Sequence, residues 1–189
     1  MSNFIVLYDS CVLYPAPLRD LLMHLALSDL FRAKWTEAIH DEWMRNVLIN
    51  RSDLSREQLE RTRDLMNKHG GDCLVKDYED LISVLSLPDP NDRHVLAASI
   101  CASASVIVTY NLKDFPPKNI KQYGVEAQHP DDFILHLLDL SPLVVCATIK
   151  RLREGLRNPP LDAQSYLKIL ERLLLTRTVI KLNEFFDLL

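Results

Sequence analysis

The most constraining feature of the sequence is a short apolar run near its start, Phe4-Ile5-Val6-Leu7-Tyr8, which is followed by Asp9. An apolar run this short, with β-branched and aromatic members and a polar end, predicts a strand buried on both faces of a parallel sheet. Side chains at the carboxyl ends of such strands face the crevice where ligands bind. Asp9 is therefore either a ligand-binding carboxylate or the cap of the following helix, and both interpretations stay open at this point.

A second strand of the same kind is predicted at Val106-Ile107-Val108-Thr109. A weaker strand is predicted at Cys73-Leu74-Val75, and the segments between the strands have apolar residues at helical spacing. The predicted helices run from Pro15 to about Phe31, from about Thr36 to about Ile49, from Ser55 to Gly70-Gly71, from Tyr78 to Leu85 and from His94 to Ala104. Strands that alternate with helices predict a parallel sheet with right-handed crossovers, an α/β sandwich.

After Pro130 the pattern becomes purely helical. The predicted helices are Asp131 to Leu140, Pro142 to about Leu156, Ala163 to about Leu175 and a last helix to Leu189, with a break at Asn158-Pro159-Pro160. The segment from Thr148 to Lys181 has eight basic and three acidic residues, a net charge of +5, so the remainder of the chain carries −9 of the total of −4. This division suits a metal centre beside a surface that contacts phosphate or an acidic partner, or else a solvated helical face.

The overall composition narrows the class of protein. With 189 residues, 48% hydrophobic and 25% charged, the chain has a globular composition. Its four cysteines are scattered without metal-like spacing, and we expect Cys11 and Cys101 to be small core residues of a protein in a reducing, cytoplasmic location. We find no signal peptide before the first apolar run and no uninterrupted apolar run of about 18 residues, so we expect no membrane span.

Three further acidic residues are candidates for a site with Asp9. Asp114 follows the second strand by five residues, either at a strand-end site or in a short turn capped by Asn111. In Asp89-Pro90-Asn91-Asp92 we expect Asp89 to be the helix cap and Asp92 the functional carboxylate. Glu42 lies in the middle of a predicted helix, where a glutamate taken singly is usually solvated.

The four acids become informative as a set. If Asp9, Glu42, Asp92 and Asp114 converge, their mutual repulsion raises their pKa values unless a cation neutralises them. Oxygen ligands without a nearby cysteine or histidine pair suit Mg²⁺ or Mn²⁺, which activate water for displacement at phosphorus. The six histidines form no metal-binding motif, and His94 is assigned to a core or surface role.

The order of these segments resembles a PIN domain. The resemblance rests on Asp9-Ser10 after the first strand, on the helical Glu42, on Asp89-Pro90-Asn91-Asp92-Arg93-His94-Val95-Leu96-Ala97-Ala98 and on Val108-Thr109-Tyr110-Asn111-Leu112-Lys113-Asp114-Phe115. It covers roughly residues 3 to 135 and is strongest to the bacterial branch that includes VapC-type toxins of toxin–antitoxin pairs.

The resemblance implies a three-layer α/β/α nuclease domain over residues 1–138 and a helical C-terminal extension over 139–189. It also implies Mg²⁺- or Mn²⁺-dependent cleavage of RNA, with Asp9, Glu42, Asp92 and Asp114 as catalytic residues and metal ligands. Ser10, Thr109 and Asn111 match the residues that position the metal-bound water or the phosphate. Cys11 departs from the family, because many relatives carry asparagine there.

The partners implied by the resemblance are an RNA substrate, an antitoxin protein and a second copy of the chain in a homodimer. Two alternatives stay open. The same site is also compatible with a structure-specific DNA nuclease. The second alternative is a PIN-fold binding or regulatory protein with weak catalysis. Cys11 and the basic helical tail favour this alternative.

Overall fold

The computed structural model of the chain describes residues 4–157 and 159–189. At its centre is a parallel sheet of four strands in the order β2-β1-β3-β4. The strands are β1 (Ile5–Tyr8), β2 (Arg32–Lys34), β3 (Val106–Val108) and β4 (Glu126–Gln128). The parallel sheet predicted from the first two apolar runs is confirmed.

Helices cover the sheet on both faces, which gives the three-layer α/β/α arrangement. Short 3₁₀ turns lie at Pro90–Asp92, Leu112–Asp114, Lys121–Tyr123 and Phe186–Leu188. The α-helices are α1 (Ser10–Leu13), α2 (Ala16–Ala26), α3 (Glu37–Asn50), α4 (Arg56–Gly70), α5 (Glu79–Ile82), α6 (Arg93–Cys101), α7 (Pro117–Ile120), α8 (Pro130–Leu140), α9 (Pro142–Gly155), α10 (Ala163–Arg172) and α11 (Thr176–Asn183).

The first apolar run occupies the centre of the sheet. Val6 pairs with Ala33 of β2 on one side and with Val106 of β3 on the other. Val6, Leu7 and Tyr8 have no exposed surface. A strand with neighbours on both edges and apolar contacts on both faces needs this uninterrupted hydrophobic sequence, so the predicted burial of the strand is confirmed.

The ends of the two longest helices follow the expected capping chemistry. The Thr36 hydroxyl accepts a hydrogen bond from the Ile39 amide at 3.1 Å and begins α3. Ser55 and Gln58 form a reciprocal capping box at the start of α4. Gly71, with a φ of 64°, follows its last residue, a backbone conformation that glycine adopts at no steric cost.

Several sequence predictions differ from the structure. The helix predicted from Pro15 to about Phe31 is α2 and ends at Ala26, because the chain turns through Asp29, whose φ is 60°, and the short helix α1 before it was not predicted. Strands β2 and β4 were not predicted, since three residues are too few to show a periodic pattern. The segment predicted as a strand around Leu74 forms only an isolated bridge, between Leu74 and Trp35.

The prediction that Cys11 and Cys101 are core residues is also wrong. Cys101 is exposed at the end of α6, where its thiol donates to the carbonyl oxygen of Lys76 at 3.4 Å. Cys11 is partly exposed, whereas Cys73 and Cys146 are the buried thiols. Cys101 was misplaced because it is the last residue of α6, beyond the buried residues that end at Ser99.

The C-terminal helices pack onto the rest of the chain. Helix α9 contacts α2, and α8 contacts both α9 and α11. The predicted break between α9 and α10 lies partly outside the described residues, at position 158, and Pro159 and Pro160 follow there without helical structure. The division at residues 138 and 139 falls inside α8 and stays a prediction.

No single helix in the described ranges is long and apolar enough to cross a membrane. Helices α8 and α9 reach the required length and hydropathy only when taken together, and they are bent by 120° at the break between them.

Candidate active site

Asp9 follows the central strand and is almost completely buried, with 4% of its surface exposed. One carboxylate oxygen accepts a hydrogen bond from the Ser10 amide at 2.6 Å and so caps α1. The other accepts from the Thr109 hydroxyl at 2.7 Å and from the Cys11 thiol at 3.1 Å. Burial raises the pKa of Asp9, although these hydrogen bonds act in the opposite direction. Asp9 is therefore a helix cap that also lines a cleft.

Cys11 and Thr109 join the ends of β1 and β3 around this carboxylate. The Tyr110 amide donates to the Cys11 sulfur at 3.3 Å, and the Asn111 amide donates to the Thr109 hydroxyl at 2.9 Å. Thr109 has no exposed surface, and its hydroxyl donates to Asp9, accepts from the Asn111 amide and lies 3.4 Å from the Cys11 sulfur. The thiol of Cys11 thus supplies a donor to Asp9 at the position where the sequence departs from the family.

Glu42 approaches the same cleft from α3 and is half-buried. Its carboxylate lies 3.6 Å from Nε2 of His94, which is on α6. The hydrogen bond with His94 lowers the pKa of Glu42, burial opposes this, and the Ser10 side chain lowers the pKa further. His94 was missed as a neighbour of the site, because its partner lies on a different helix and no local spacing connects them.

Asp92 is a carboxylate whose ionisation is strongly perturbed. Burial, and then the negative charges of the neighbouring acids, raises the pKa of Asp92 to about 7. The acids that contribute are Asp9, Asp89, Asp114 and Glu42, in that order. The predicted cap is confirmed, since the Asp89 side chain accepts from the Asn91 amide at 2.8 Å.

Asp114 lies at the margin of this group. It ends the 3₁₀ turn Leu112–Asp114, in which its amide donates to the carbonyl oxygen of Asn111 at 3.0 Å. The predicted turn is present, but the Asn111 side chain makes no capping hydrogen bond to it. Asp114 does not line the cleft directly and acts on it through its charge, which contributes to the raised pKa of Asp92.

The acidic side chains face a cleft of about 300 Å³. It is lined by Asp9, Ser10, Cys11, Tyr14, Glu42, Asn46, Asn50, Asp92 and Asn111. Sequence reasoning did not single out Tyr14, Asn46 and Asn50. The signal for the two asparagines was their spacing of four and eight residues from Glu42, which places all three side chains on one face of α3.

The side chains around the cleft fit a hard cation in their chemistry. Carboxylate oxygens dominate, and the raised pKa of Asp92 shows that no basic side chain fully offsets their charge. Within residues 4–157 and 159–189, no three His, Cys, Asp or Glu side chains are close enough to enclose a metal ion as they stand. One or two carboxylates together with bound waters are sufficient to hold Mg²⁺.

Basic side chains of the C-terminal helices are only partly engaged within the chain. Arg153 donates to the carbonyl oxygen of Leu161, Arg177 pairs with Asp132, and Lys181 pairs with Glu184. The other five make no hydrogen bond or ion pair inside the part of the chain that the structure describes; they are Lys150, Arg151, Arg157, Lys168 and Arg172.

Comparison with known proteins identifies the family to which this chain belongs. The PIN domain family matches residues 5–113, more than half of the chain, and the family described as the VapC50 C-terminal domain matches residues 130–184. The chain belongs to the PIN domain family and is of the VapC type with a C-terminal extension.

A relative from Mycobacterium tuberculosis, named "Putative ribonuclease VapC50", is 43% identical over 93 residues. That stretch is 49% of this chain and 54% of the relative, so the similarity spans about half of each protein. No solved structure matches the chain.

Proposed function

We propose that this protein is a metal-dependent endoribonuclease and the toxin of a type II toxin–antitoxin pair. It hydrolyses RNA phosphodiester bonds in the cleft beside Asp9, Glu42 and Asp92. The name of the mycobacterial relative supports the substrate class. The acidic cleft at the carboxyl ends of β1 and β3 supports the chemistry.

The observation that carries the proposal is the cleft at the carboxyl ends of β1 and β3, where Asp9, Glu42 and Asp92 lie together and their buried, acidic surroundings raise the pKa of Asp92 to about 7. A cleft that concentrates carboxylates in this way is unfavourable for an isolated protein, because each negative charge opposes the ionisation of the next. A structural ion pair network would have placed arginine or lysine against these carboxylates. A site that takes up a divalent cation accounts for the arrangement directly.

In this proposal the ligands of Mg²⁺ or Mn²⁺ are Asp9, Glu42, Asp92 and Asp114. The bound ion supplies a water of lowered pKa and stabilises the negative charge that develops on the phosphate. Asp9 is held in place by Thr109 and Cys11, and Ser10 supports Glu42. Ser10 and Asn111, which line the cleft, position the water and the phosphate, and the buried Thr109 acts through Asp9.

The remaining parts of the proposal concern partners. Arg93, Lys113 and basic residues of the tail contact the RNA backbone, since cationic side chains neutralise phosphates. An antitoxin covers the acidic cleft with an arginine or lysine that reaches the carboxylates. A homodimer and a cytoplasmic location belong to the same proposal.

The test is RNA cleavage by purified protein with Mn²⁺, with Mg²⁺ and with excess EDTA. We expect cleavage with metal, none with EDTA, and a loss of roughly 100-fold or more in folded Asp9→Asn and Asp114→Asn proteins. Asp41→Asn is the matched control, because Asp41 precedes Glu42 on α3 and its exposed carboxylate only approaches Arg56. Full activity in the two test variants or in EDTA excludes the mechanism.

Parallel assays separate the substrate classes. Single-stranded RNA and flap DNA of matched sequence are incubated with the same protein and metal. Preferential cleavage of RNA supports the proposal, whereas preferential cleavage of the flap assigns the site to a DNA nuclease. Absence of cleavage, together with absence of Mn²⁺ binding at millimolar concentration, assigns the chain to the binding or regulatory class.

A further inference from the structure

We propose that the cleft continues from the carboxylates into a base-binding subsite formed by Tyr14, Asn46 and Asn50. This subsite holds one unpaired nucleobase of single-stranded RNA beside the scissile phosphate. The inference rests on the proposed function, because it names the part of an RNA substrate that the same cleft recognises.

The geometry of α3 supports this extension of the cleft. Glu42, Asn46 and Asn50 are spaced by four residues and line the same cleft. With a helical rise of 1.5 Å per residue, Asn46 lies about 6 Å and Asn50 about 12 Å beyond Glu42 along the axis. The face of α3 therefore changes from a carboxylate to two neutral amides over a distance comparable with one nucleotide.

Tyr14 supplies the aromatic surface. It lies directly after α1, and its amide donates to the carbonyl oxygen of Ser10 at 3.0 Å, which ties its backbone to the residue next to Asp9. The ring is half-buried, and within residues 4–157 and 159–189 it makes no ring contact and its hydroxyl no hydrogen bond. A half-buried aromatic ring that lines the cleft is a stacking platform for an unpaired base.

The two asparagines suit a base better than a phosphate. Asn50 donates to the backbone carbonyl oxygen of Asn46 at 2.9 Å, which leaves its amide oxygen free, and the Asn46 side chain has no partner in the described parts of the chain. An amide offers both donors and an acceptor, which match the polar edge of a base. The nearby Arg51 is already held by Asp53 through hydrogen bonds of 2.7 and 2.6 Å.

The size of the cleft limits what it accepts. About 300 Å³ is at the lower end of the volumes of small-molecule sites. It holds a single base or nucleotide and excludes a paired helix. An unpaired strand whose base enters the neutral end places its phosphate against the carboxylates and their cation.

Binding is measured on the full-length Asp9→Asn protein, so that RNA is retained without cleavage. The probe is a fluorescent single-stranded RNA hexamer of mixed sequence, in the presence of Mn²⁺. We expect Tyr14→Ala to raise the Kd about tenfold, which corresponds to about 1.4 kcal/mol, whereas Tyr14→Phe keeps the ring and the affinity. We expect two further variants each to raise the Kd about tenfold. One is the single variant Asn46→Asp, and the other is the double variant that combines Asn46→Ala with Asn50→Ala.

The matched control is Asn183→Ala on α11. The side chain of Asn183 donates to the carbonyl oxygen of Val179 at 2.9 Å, the same helical bond that Asn50 makes to Asn46, and Asn183 does not line the cleft. We expect an unchanged Kd. A control variant that weakens binding as much as the asparagine variants overturns the subsite, because the loss then reflects helix stability.

Cut-site sequencing gives a second readout in proteins with an intact Asp9. We expect the asparagine variants to keep kcat, to raise KM and to lose base preference next to the cut. If wild-type protein cleaves RNA but the variants keep its Kd and its cut-site preference, the subsite is overturned while the proposed function stands. If wild-type protein neither binds nor cleaves RNA, both are overturned.

Discussion

Cys11 illustrates how a thiol can both donate and accept hydrogen bonds beside a buried carboxylate. Its thiol donates to Asp9 and accepts from the Tyr110 amide, so it joins two strand ends that are separated by about a hundred residues in the sequence. A thiol is a weaker hydrogen-bonding group than an amide or a hydroxyl. The short bond from Thr109 to Asp9 supplies the stronger contact.

We expect Cys11→Ala to lower kcat/KM for RNA cleavage by roughly 10- to 100-fold, as loss of a residue that orients a metal ligand usually does. Cys11→Ser keeps a donor and an acceptor and stays within a few-fold of wild type. Cys101→Ala is the control, since that thiol is exposed and contacts only a backbone carbonyl. Wild-type activity in Cys11→Ala shows that Thr109 alone orients Asp9.

Asp92 provides a prediction of pH dependence. The pKa of its carboxyl group is raised to about 7 in the folded protein, above about 4 for an unperturbed aspartate. Asp92 therefore contributes its full stability below the pKa that its carboxyl group has in the unfolded chain. This stability is lost as the pH rises through 7, the pKa in the folded protein. Metal-free protein should be less stable at pH 8 than at pH 5, as measured by urea unfolding in EDTA.

Asp92→Asn should reduce this difference between pH 5 and pH 8, because the amide does not ionise. Part of the pH dependence of stability should remain in this variant, because the buried Asp9 also has a raised pKa. In wild-type protein, Mn²⁺ should restore stability at pH 8 by binding the folded state alone. An identical pH dependence in the variant would refute the assignment to Asp92.

Among the helices, the start of α11 depends on a residue of α8. The two carboxylate oxygens of Asp131 accept from the amides of Arg177 and Thr178 at 2.9 and 2.8 Å. These amides belong to the first turn of α11, where backbone donors have no partner within the helix. The buried Asp131 therefore caps a helix more than forty residues away.

We expect Asp131→Ala to lower the free energy of unfolding by about 2 kcal/mol, because one buried and one part-buried donor lose their acceptors. Asp132→Ala is the matched control, since that neighbouring carboxylate makes a solvent-exposed pair with Arg177 and should cost no more than about 1 kcal/mol. Urea denaturation followed by circular dichroism measures both. Equal losses in the two variants would contradict a capping role for Asp131.

How well the sequence predicts the structure differs from one helix or strand to the next. Strand β1 and the helix starts at Thr36 and Ser55 were predicted, because continuous burial and helix starts leave local patterns. Strands β2 and β4 show no such pattern in the sequence. The contact between Glu42 and His94 was missed for a different reason, since it is made between helices and depends on how α3 and α6 pack against the sheet.

For the molecule as a whole, the C-terminal helices are joined to the nuclease fold close to the cleft. The Tyr110 hydroxyl donates to the carbonyl oxygen of Leu173 at 2.8 Å, just after α10. The Tyr110 ring also packs edge-on against His129, with centroids 5.1 Å apart. Together with the contact between α9 and α2, these interactions favour one cooperative unit.

We therefore expect a single unfolding transition. Trp35 and Trp43 are the two tryptophans and are buried in the N-terminal part, so fluorescence reports on that part, while circular dichroism reports on all helices. Tyr110→Phe should lower the free energy of unfolding by about 1 kcal/mol. The midpoints of the fluorescence and circular dichroism transitions should therefore fall by the same amount. Two separated transitions in wild-type protein would show that the extension unfolds independently.

The bond between Asp9 and Thr109 also has a consequence for synthesis. Strand β1 emerges from the ribosome first, yet its neighbour β3 follows about a hundred residues later. Parallel pairings across such a separation form slowly, because the intervening chain must be ordered before the contact is made. A nascent chain shorter than this has no assembled carboxylate cluster. The carboxylate cluster beside Asp9 therefore forms only after strand β3 has been translated and has paired with β1.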